Sequence, residues 1–256
     1  EAMLLKSPSI IQVFRIMALL LILAAWGVAA SAQDPVPDEP DQKAVTQFNR
    51  GERLARSEAW EEAIQAYKEA IRIQPDYAEA HHALALAFAR REMYPEAVKE
   101  FQETLRLQPQ WGKAHENLGV AYLKMGRLQE ALDAFQAAVR LHPQDAEATY
   151  NLGLAYGKLQ RDKEARDAFL QALRLQPDMA KAHKNLGLAY FNLGNWKEGG
   201  ESFKEAVRLN PEDGEARYGL CLFYLKMGDK DAAAREYKVL QTLDPRLAQK
   251  LAEMLK

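Results

Sequence analysis

The sequence predicts an all-α solenoid made of six consecutive pairs of antiparallel helices. The first observation is the equal spacing of six prolines, and self-similarity at a fixed period is typical of repeat architectures. The second is an apolar periodicity between the prolines that indicates amphipathic helices. The third is that small and aromatic residues recur at fixed places in each period. The prolines lie 34 residues apart, at Pro75, Pro109, Pro143, Pro177, Pro211 and Pro245.

The composition is that of a globular protein. Of the 256 residues, 48% are apolar and 27% are charged, and 34 basic against 36 acidic side chains leave a net charge of −2, unlike a disordered chain. A pI near 6.3 lacks the basic excess of a nucleic-acid-binding domain. The single cysteine, Cys221, excludes an intramolecular disulfide, a four-cysteine zinc site and an iron–sulfur cluster.

The first 32 residues predict a secretory signal peptide. The basic residues Lys6 and Arg15 precede a continuous apolar run over 16–30, and Ala30-Ser31-Ala32 is a small-x-small cleavage site. The run is shorter than the ~20 residues that span a bilayer. The sequence therefore predicts an exported protein, periplasmic or extracellular. The alternative is an uncleaved membrane anchor in the inner membrane, with the repeats outside the cytoplasm.

Residues 33–43 predict an extended, solvated linker. Three prolines and four acidic residues occur in this segment, and such a composition disfavours packing. The segment is a spacer or, alternatively, presents an acidic peptide to a partner.

Each 34-residue block predicts two helices. In the third block, Leu118 and Tyr122 lie at helical spacing in the first helix, helix A. Ala131 and Phe135 do so in the second, helix B, which ends before Pro143 because proline cannot continue a helix. The blocks in this register are 44–77, 78–111, 112–145, 146–179, 180–213 and 214–247.

Columns of small residues at repeat spacing predict that helices A and B approach closely, with aromatic side chains filling the space beside them. Gly199 and Gly200, inside one helix B, predict close packing or a local bend, because each glycine costs roughly 1 kcal/mol relative to alanine. The small columns are Gly51, Ala85, Gly119, Gly153, Gly187 and Cys221 in helix A, and Ala63, Ala97, Ala131, Ala165 and Ala233 in helix B; the aromatic column of helix B is Tyr67, Phe101, Phe135, Phe169, Phe203 and Tyr237.

At these columns the chain resembles the tetratricopeptide repeat family over 44–247. The resemblance implies a right-handed superhelical solenoid whose concave wall is formed mainly by the A helices and binds proteins or peptides. The terminal blocks depart from the pattern, for example at Arg50 and Gly214, and residues 248–256 predict a capping helix. In the third block the family pattern is matched by His115, Leu118, Gly119, Tyr122, Ala131, Phe135 and Pro143.

A column of asparagines in helix A predicts where the groove contacts its ligand. An amide side chain offers a donor and an acceptor to the backbone of an extended peptide, and the column resembles the asparagine ladders of peptide-binding members of the family. The alternative is a structural role in helix packing. Ala83 and Gly219 interrupt the column, which consists of Asn49, Asn117, Asn151 and Asn185.

Other side chains around the asparagines favour a polar peptide with aromatic contacts, namely Lys113, Lys181, Lys184, Tyr150 and Tyr218. An apolar strip runs beside them at Val120, Leu154, Leu188 and Leu222. A basic column would attract acidic segments, although cations at a helix end also favour the macrodipole by about 0.3–1 kcal/mol each. This basic column is Arg56, Arg90, Lys124, Lys158 and Lys226.

The sequence predicts no catalysis, no metal site and no small-molecule cofactor. His81, His115 and His183 share one repeat column, and helix layers ~8–10 Å apart cannot bring them to one zinc ion. The motifs H-E-x-x-H and G-x-S-x-G are absent.

The predicted function is an adaptor that binds a protein or extended peptide, but no nucleic acid, during assembly of cell-envelope or secretion machinery. The alternatives are a membrane-tethered scaffold that forms a homo-oligomer and an accessory subunit of an enzyme.

Overall fold

The computed structural model describes residues 41–254, which form thirteen α-helices and no strand. The predicted signal peptide over 1–32 and residues 33–40 of the linker lie outside the described residues. The all-α solenoid predicted from the sequence is confirmed. In chain order the helices are α1 (Gln42–Arg56), α2 (Trp60–Ile73), α3 (Ala78–Arg90), α4 (Tyr94–Leu107), α5 (Gly112–Lys124), α6 (Leu128–Leu141), α7 (Ala146–Lys158), α8 (Asp162–Leu175), α9 (Ala180–Asn192), α10 (Trp196–Leu209), α11 (Gly214–Met227), α12 (Lys230–Leu243) and α13 (Pro245–Met254).

The first helix begins inside the segment expected to be linker. The carboxylate of Asp41 accepts hydrogen bonds from the N–H groups of Lys43 (2.7 Å) and Ala44 (3.4 Å), so Asp41 is the N-cap and α1 starts at Gln42. Such a cap satisfies N–H groups that have no partner within the helix. The helix therefore begins two residues earlier than the expected boundary at 44.

The turn between helices A and B has the same geometry in all six repeats. One residue of each turn has a left-handed backbone, with φ between 58° and 79°. The N–H that follows reaches back across the turn, as from Arg127 to the carbonyl of Tyr122 (2.9 Å). This is the Schellman pattern of helix ends, and glycine adopts the required φ without strain. The left-handed residues are Glu58, Glu92, Gly126, Gln160, Gly194 and Gly228.

The aromatic column of helix B lies directly against the small column of helix A. Phe135 is fully buried, and a Cβ atom added to Gly119 would come within 2.6 Å of its ring. Glycine is therefore required by the close approach of the two helices. The same arrangement recurs in other repeats, in the pairs Gly51–Tyr67, Gly153–Phe169 and Gly187–Phe203.

Gly199 and Gly200 are packing positions in α10. A side chain at Gly199 would collide with the ring of Phe191 in α9, and one at Gly200 would collide with the ring of Phe223 in α11. The helix runs through both glycines without a break. Of the two predicted explanations, close packing is the one that the neighbouring rings support.

The A helices lie on the inner side of the array. Successive A helices, such as α3 and α5, contact each other, whereas successive B helices share no contacts within residues 41–254. Each B helix packs between its own A helix and the next one. The A helices therefore line the concave side, and residues on their inner face form a groove.

Helix α13 covers the end of the last repeat. It begins at Pro245, before the boundary at 248 that was expected for the cap. Proline is tolerated in the first turn of a helix, and the carboxylate of Asp244 accepts hydrogen bonds from the N–H groups of Arg246 and Leu247. Leu251 is buried in a cluster with Leu240 and Cys221. Among the thirteen helices of residues 41–254, none combines the length and apolar content needed to cross a membrane.

Candidate functional site

The apolar strip predicted from the sequence is exposed on the concave side. Val120 retains 37% of its accessible surface and Leu188 retains 47%, and Leu86 extends the strip into the second repeat with 38%. Leu154 and Leu222, at the same position in their repeats, are half-buried. Large apolar side chains that remain exposed in one row are typical of an interaction surface.

The basic column lies beside this strip on the same helix faces. Four of the five cations follow an apolar residue by four positions, as Lys124 follows Val120, and side chains four residues apart share one face of a helix. The exception is Arg56, which follows Glu52. All five cations are exposed, and none forms an ion pair with a carboxylate within residues 41–254. Lys226 lies over the ring of Trp196 at 5.0 Å. The column therefore presents unpaired positive charge along one edge of the groove.

Three of the four predicted asparagines form hydrogen bonds to the preceding repeat. The side-chain amide of Asn117 donates to Nε2 of His82 (3.1 Å), that of Asn151 to Glu116 (3.1 Å), and that of Asn185 to the hydroxyl of Tyr150 (2.9 Å). Asn49, in the first repeat, is exposed. The donors of the column are thus used between repeats, which gives the asparagines a structural role whether or not they also contact a ligand.

The predicted groove lysines are neutralised by carboxylates of the protein itself. Lys113 pairs with Glu116 (2.6 Å), and Lys181 with Glu147 of the preceding repeat (2.7 Å). Lys184 bonds to Glu215 (2.7 Å) and Asp213 (3.0 Å). Burial opposes the charge on Lys184, but these two carboxylates outweigh it and raise its pKa. Of the predicted lysines, those of the basic column, Lys124, Lys158 and Lys226, therefore carry charge that no carboxylate of residues 41–254 pairs.

The two predicted tyrosines differ in exposure, and both pack against neighbouring side chains. Tyr150 retains only 7% of its accessible surface and lies 5.7 Å from the ring of Phe169, and burial is the main cause of its raised pKa. Tyr218 is half-buried beside the capping helix, with Lys250 over its ring at 5.7 Å. The stacking of repeats therefore leaves little of Tyr150 accessible to a ligand, whereas the predicted groove contact at half-buried Tyr218 stays a prediction.

A cavity of about 450 Å³ opens on the concave side between the first two repeats, and the sequence did not indicate it. Ala55 lies in its wall, at the place where the second repeat has Ala89 and the third has the larger Leu123. His82 stacks on Trp111 there, with ring centroids 4.5 Å apart. In the sequence, the available signal for this cavity was the small residue Ala55 together with the two tryptophans Trp60 and Trp111. Aromatic side chains dominate the lining, namely Phe48, Trp60, Tyr67, His82 and Trp111.

A second cavity of about 440 Å³ occupies the same position three repeats further along the chain. There Gly157 stands at the place of Ala55, Asp162 at that of Trp60 and Asn192 at that of Arg90. The two cavities are therefore alike in size and position, but several aromatic rings line the first, whereas Phe169 is the one aromatic side chain among the described residues that line the second.

The histidine column is structural. Nε2 of His115 donates to the carbonyl of Pro109 (2.9 Å), and His183 does the same to Pro177 (3.0 Å). His81 bonds to Pro75 and also contacts Glu100 (2.6 Å). Within the described part of the chain, no three His, Cys, Asp or Glu side chains are grouped to hold a metal ion. Burial raises the pKa of the Cys221 thiol to about 12, which disfavours a reactive thiolate.

Comparisons with known proteins agree with this architecture. The family profile described as the cilia and flagella-associated protein 70 C-terminal domain matches residues 20–253. PilF of Pseudomonas aeruginosa has a TM-score of 0.73 and 19% identity, covering 84% of this chain and 99% of that chain. PilW, described as a type IV pilus biogenesis factor, has a TM-score of 0.71 and 18% identity, covering 83% and 99%. MamA of Desulfovibrio magneticus RS-1 has a TM-score of 0.65 and 29% identity, covering 68% and 99%. No curated protein sequence matches the chain.

Proposed function

Because this chain belongs to the tetratricopeptide repeat family, we propose that it is an exported adaptor that binds an extended segment of a partner protein in its concave groove. The observation that carries the proposal is the exposed apolar strip beside a column of unpaired cations on the inner faces of the A helices. Leu86 and Arg90, Val120 and Lys124, and Leu154 and Lys158 repeat this arrangement in consecutive repeats. An extended partner can follow such a surface from one repeat to the next.

The asparagine column supports backbone recognition of a peptide through its oxygens. The Nδ2 groups of Asn117, Asn151 and Asn185 donate to the protein itself, and that bond orients each amide. No hydrogen bond from residues 41–254 reaches their Oδ1 atoms. We therefore propose that these oxygens accept hydrogen bonds from backbone N–H groups of the ligand.

Photo-crosslinking tests the location of the binding surface. A benzophenone amino acid placed at Val120 or Leu188 is expected to crosslink the partner in host cells, because both side chains are exposed in the groove. The matched control is Gln171, which is exposed on the B helix α8. Crosslinked bands on immunoblots that appear from Gln171 but not from the groove positions would place binding on the outer face and contradict the proposal.

We further propose that the protein acts in the cell envelope, in the assembly of envelope or secretion machinery. The signal-like segment over 1–32 supports export, and the fold shared with PilW, a pilus biogenesis factor, is consistent with an assembly role. The relation to PilW is one of fold, so the pathway rests on analogy.

Mapping of the mature N-terminus tests export. Fractionation of host cells should recover the protein outside the cytoplasm, and mass spectrometry should identify Gln33 as its first residue, because cleavage after Ala32 fits the small-x-small rule. An intact N-terminal segment in a membrane fraction would instead support the anchored scaffold. Association of the fractionated protein with an enzyme, at fixed stoichiometry, would support the accessory-subunit alternative.

A further inference from the structure

We propose that the cavity between the first two repeats receives one aromatic side chain of the partner, and that acidic residues flank this side chain in the partner's sequence. The inference rests on the proposed peptide-binding function and assigns one occupant to one part of the groove. It follows from the shape of the cavity, the chemistry of its lining and the charges at its mouth.

The size and lining of the cavity suit an aromatic ring. A volume of about 450 Å³ lies within the range of roughly 300–1,000 Å³ found for ligand pockets. Trp60 and Trp111 lie in its wall, and the His82 ring is held in place by stacking on Trp111. Aromatic walls favour an aromatic guest, since rings pack edge to face or in offset stacks.

The interior favours an uncharged guest. Burial lowers the pKa of His82 to about 4, so its ring is neutral at pH 7. The carboxylate of Glu52 accepts a hydrogen bond from the Tyr67 hydroxyl (2.6 Å), and that of Glu79 from Gln108 (3.3 Å). Both carboxylates of the lining are thus bonded within the protein, and the remaining wall is mostly apolar.

The mouth of the cavity favours acidic residues next to the guest. Arg90 lies in the lining, and Arg56 and Lys124 precede and follow it in the basic column. Within residues 41–254 none of the three donates to a carboxylate, so their hydrogen-bonding capacity is available to a ligand. Carboxylates on either side of the aromatic residue would complement these cations.

The counterpart cavity in the fourth and fifth repeats explains why the occupant is assigned to the first. Asp162 and Asn192 replace Trp60 and Arg90 there, so that, within residues 41–254, Phe169 is the one aromatic ring in its lining and Lys158 is its one cation. An aromatic side chain with acidic neighbours therefore matches the first cavity better than the second, and its place there fixes the register of the partner in the groove.

Three synthetic peptides test the occupant by calorimetric titration of the full chain. The first has the sequence Gly-Asp-Glu-Trp-Asp-Glu-Gly with blocked ends, the second has alanine in place of tryptophan, and the third has lysines in place of all four acidic residues. We expect the first peptide to bind about tenfold more tightly than the second, because anchoring rings carry most of the energy of such contacts. It should also bind more tightly than the third, most clearly at low salt.

Two variants connect the affinity to the cavity. Ala55→Leu places in the first repeat the side chain that Leu123 provides in the third, and it should weaken the tryptophan peptide about tenfold by filling the space. Leu86→Glu serves as a second variant if Ala55→Leu folds poorly. It changes an exposed residue of the cavity wall and should weaken binding of the tryptophan peptide by a similar factor. The control Ala234→Leu makes the same exchange as Ala55→Leu at an exposed position of α12 and should leave binding unchanged.

Equal affinity for the tryptophan and alanine peptides, tighter binding of the lysine peptide, or no binding of any peptide would overturn the inference. The same holds if neither groove variant weakens binding. Such results would leave the wider function in place as long as crosslinks still form from Val120 and Leu188, so the two proposals fail separately.

Discussion

Replacing Phe135 with alanine is expected to lower the free energy of unfolding by about 3–5 kcal/mol. The ring is fully buried at the centre of the array and packs against Gly119 and Ala131, which have no side chain long enough to fill the space it leaves. The loss combines the transfer energy of the ring with the cost of a cavity. Urea denaturation followed by circular dichroism at 222 nm measures the change.

The matched control for Phe135→Ala is an alanine substitution of the aromatic residue at the end of the array. Tyr237 occupies the equivalent place in the last repeat but is only half-buried, so Tyr237→Ala should cost less than half as much. Since each repeat contacts only its neighbours, loss of the central ring should also broaden the transition or divide it in two. Equal losses from the two variants would show that burial in the aromatic column does not determine stability.

Acidification is expected to destabilise the first three repeats through His82. Burial is the largest cause of its lowered pKa of about 4, the positive charge of Lys113 adds to it, and Glu79 opposes it. The unfolded chain binds a proton near pH 6.5, whereas the folded chain does not until about pH 4, so stability is lost as the pH falls between these values. This difference in proton binding lowers the free energy of unfolding by about 2 kcal/mol at pH 5 and about 3 kcal/mol at pH 4. Protonation would also remove the acceptor that Nε2 offers to Asn117.

His82→Phe separates this effect from other titrations. A phenyl ring keeps the stacking on Trp111 but cannot bind a proton, so the variant should lose about 2 kcal/mol less than the natural protein between pH 7.5 and pH 5. The comparison is needed because hydrogen bonds to Glu100 and Pro75 outweigh burial and raise the pKa of His81, which acts in the opposite direction. Parallel curves of unfolding free energy against pH for the two proteins would contradict the prediction.

Much of the fold could be predicted because its determinants are local and repeat at a fixed interval. The interval between Pro109 and Pro143 defines one repeat, and Gly119 and Phe135 identify the faces of helices A and B that meet within it. The boundaries at the two ends were less predictable. Asp41 and Asp244 act as caps and start helices earlier than the pattern of apolar residues indicated.

The candidate site could be predicted only in part. The strip at Val120 and Leu188 and the cations Lys124 and Lys158 are exposed as their spacing indicated, since a residue's place on a helix determines the face on which it lies. Whether a polar side chain on that face is available to a ligand depends on the neighbouring repeat. Lys181 illustrates this, because its partner Glu147 precedes it by one full repeat.

By itself, the sequence determined the period, the pairing of helices, the inner apolar strip and the absence of known catalytic motifs, because each follows from residue type and spacing along the chain. Only the tertiary structure decided which groove residues are free and where the groove has depth. The asparagine donors and the lysines Lys113, Lys181 and Lys184 are engaged within the protein, mostly across repeats, while the cavity near Ala55 is enclosed by side chains from two successive repeats. Contacts of this kind depend on how successive helix pairs stack, and no single 34-residue pattern records them.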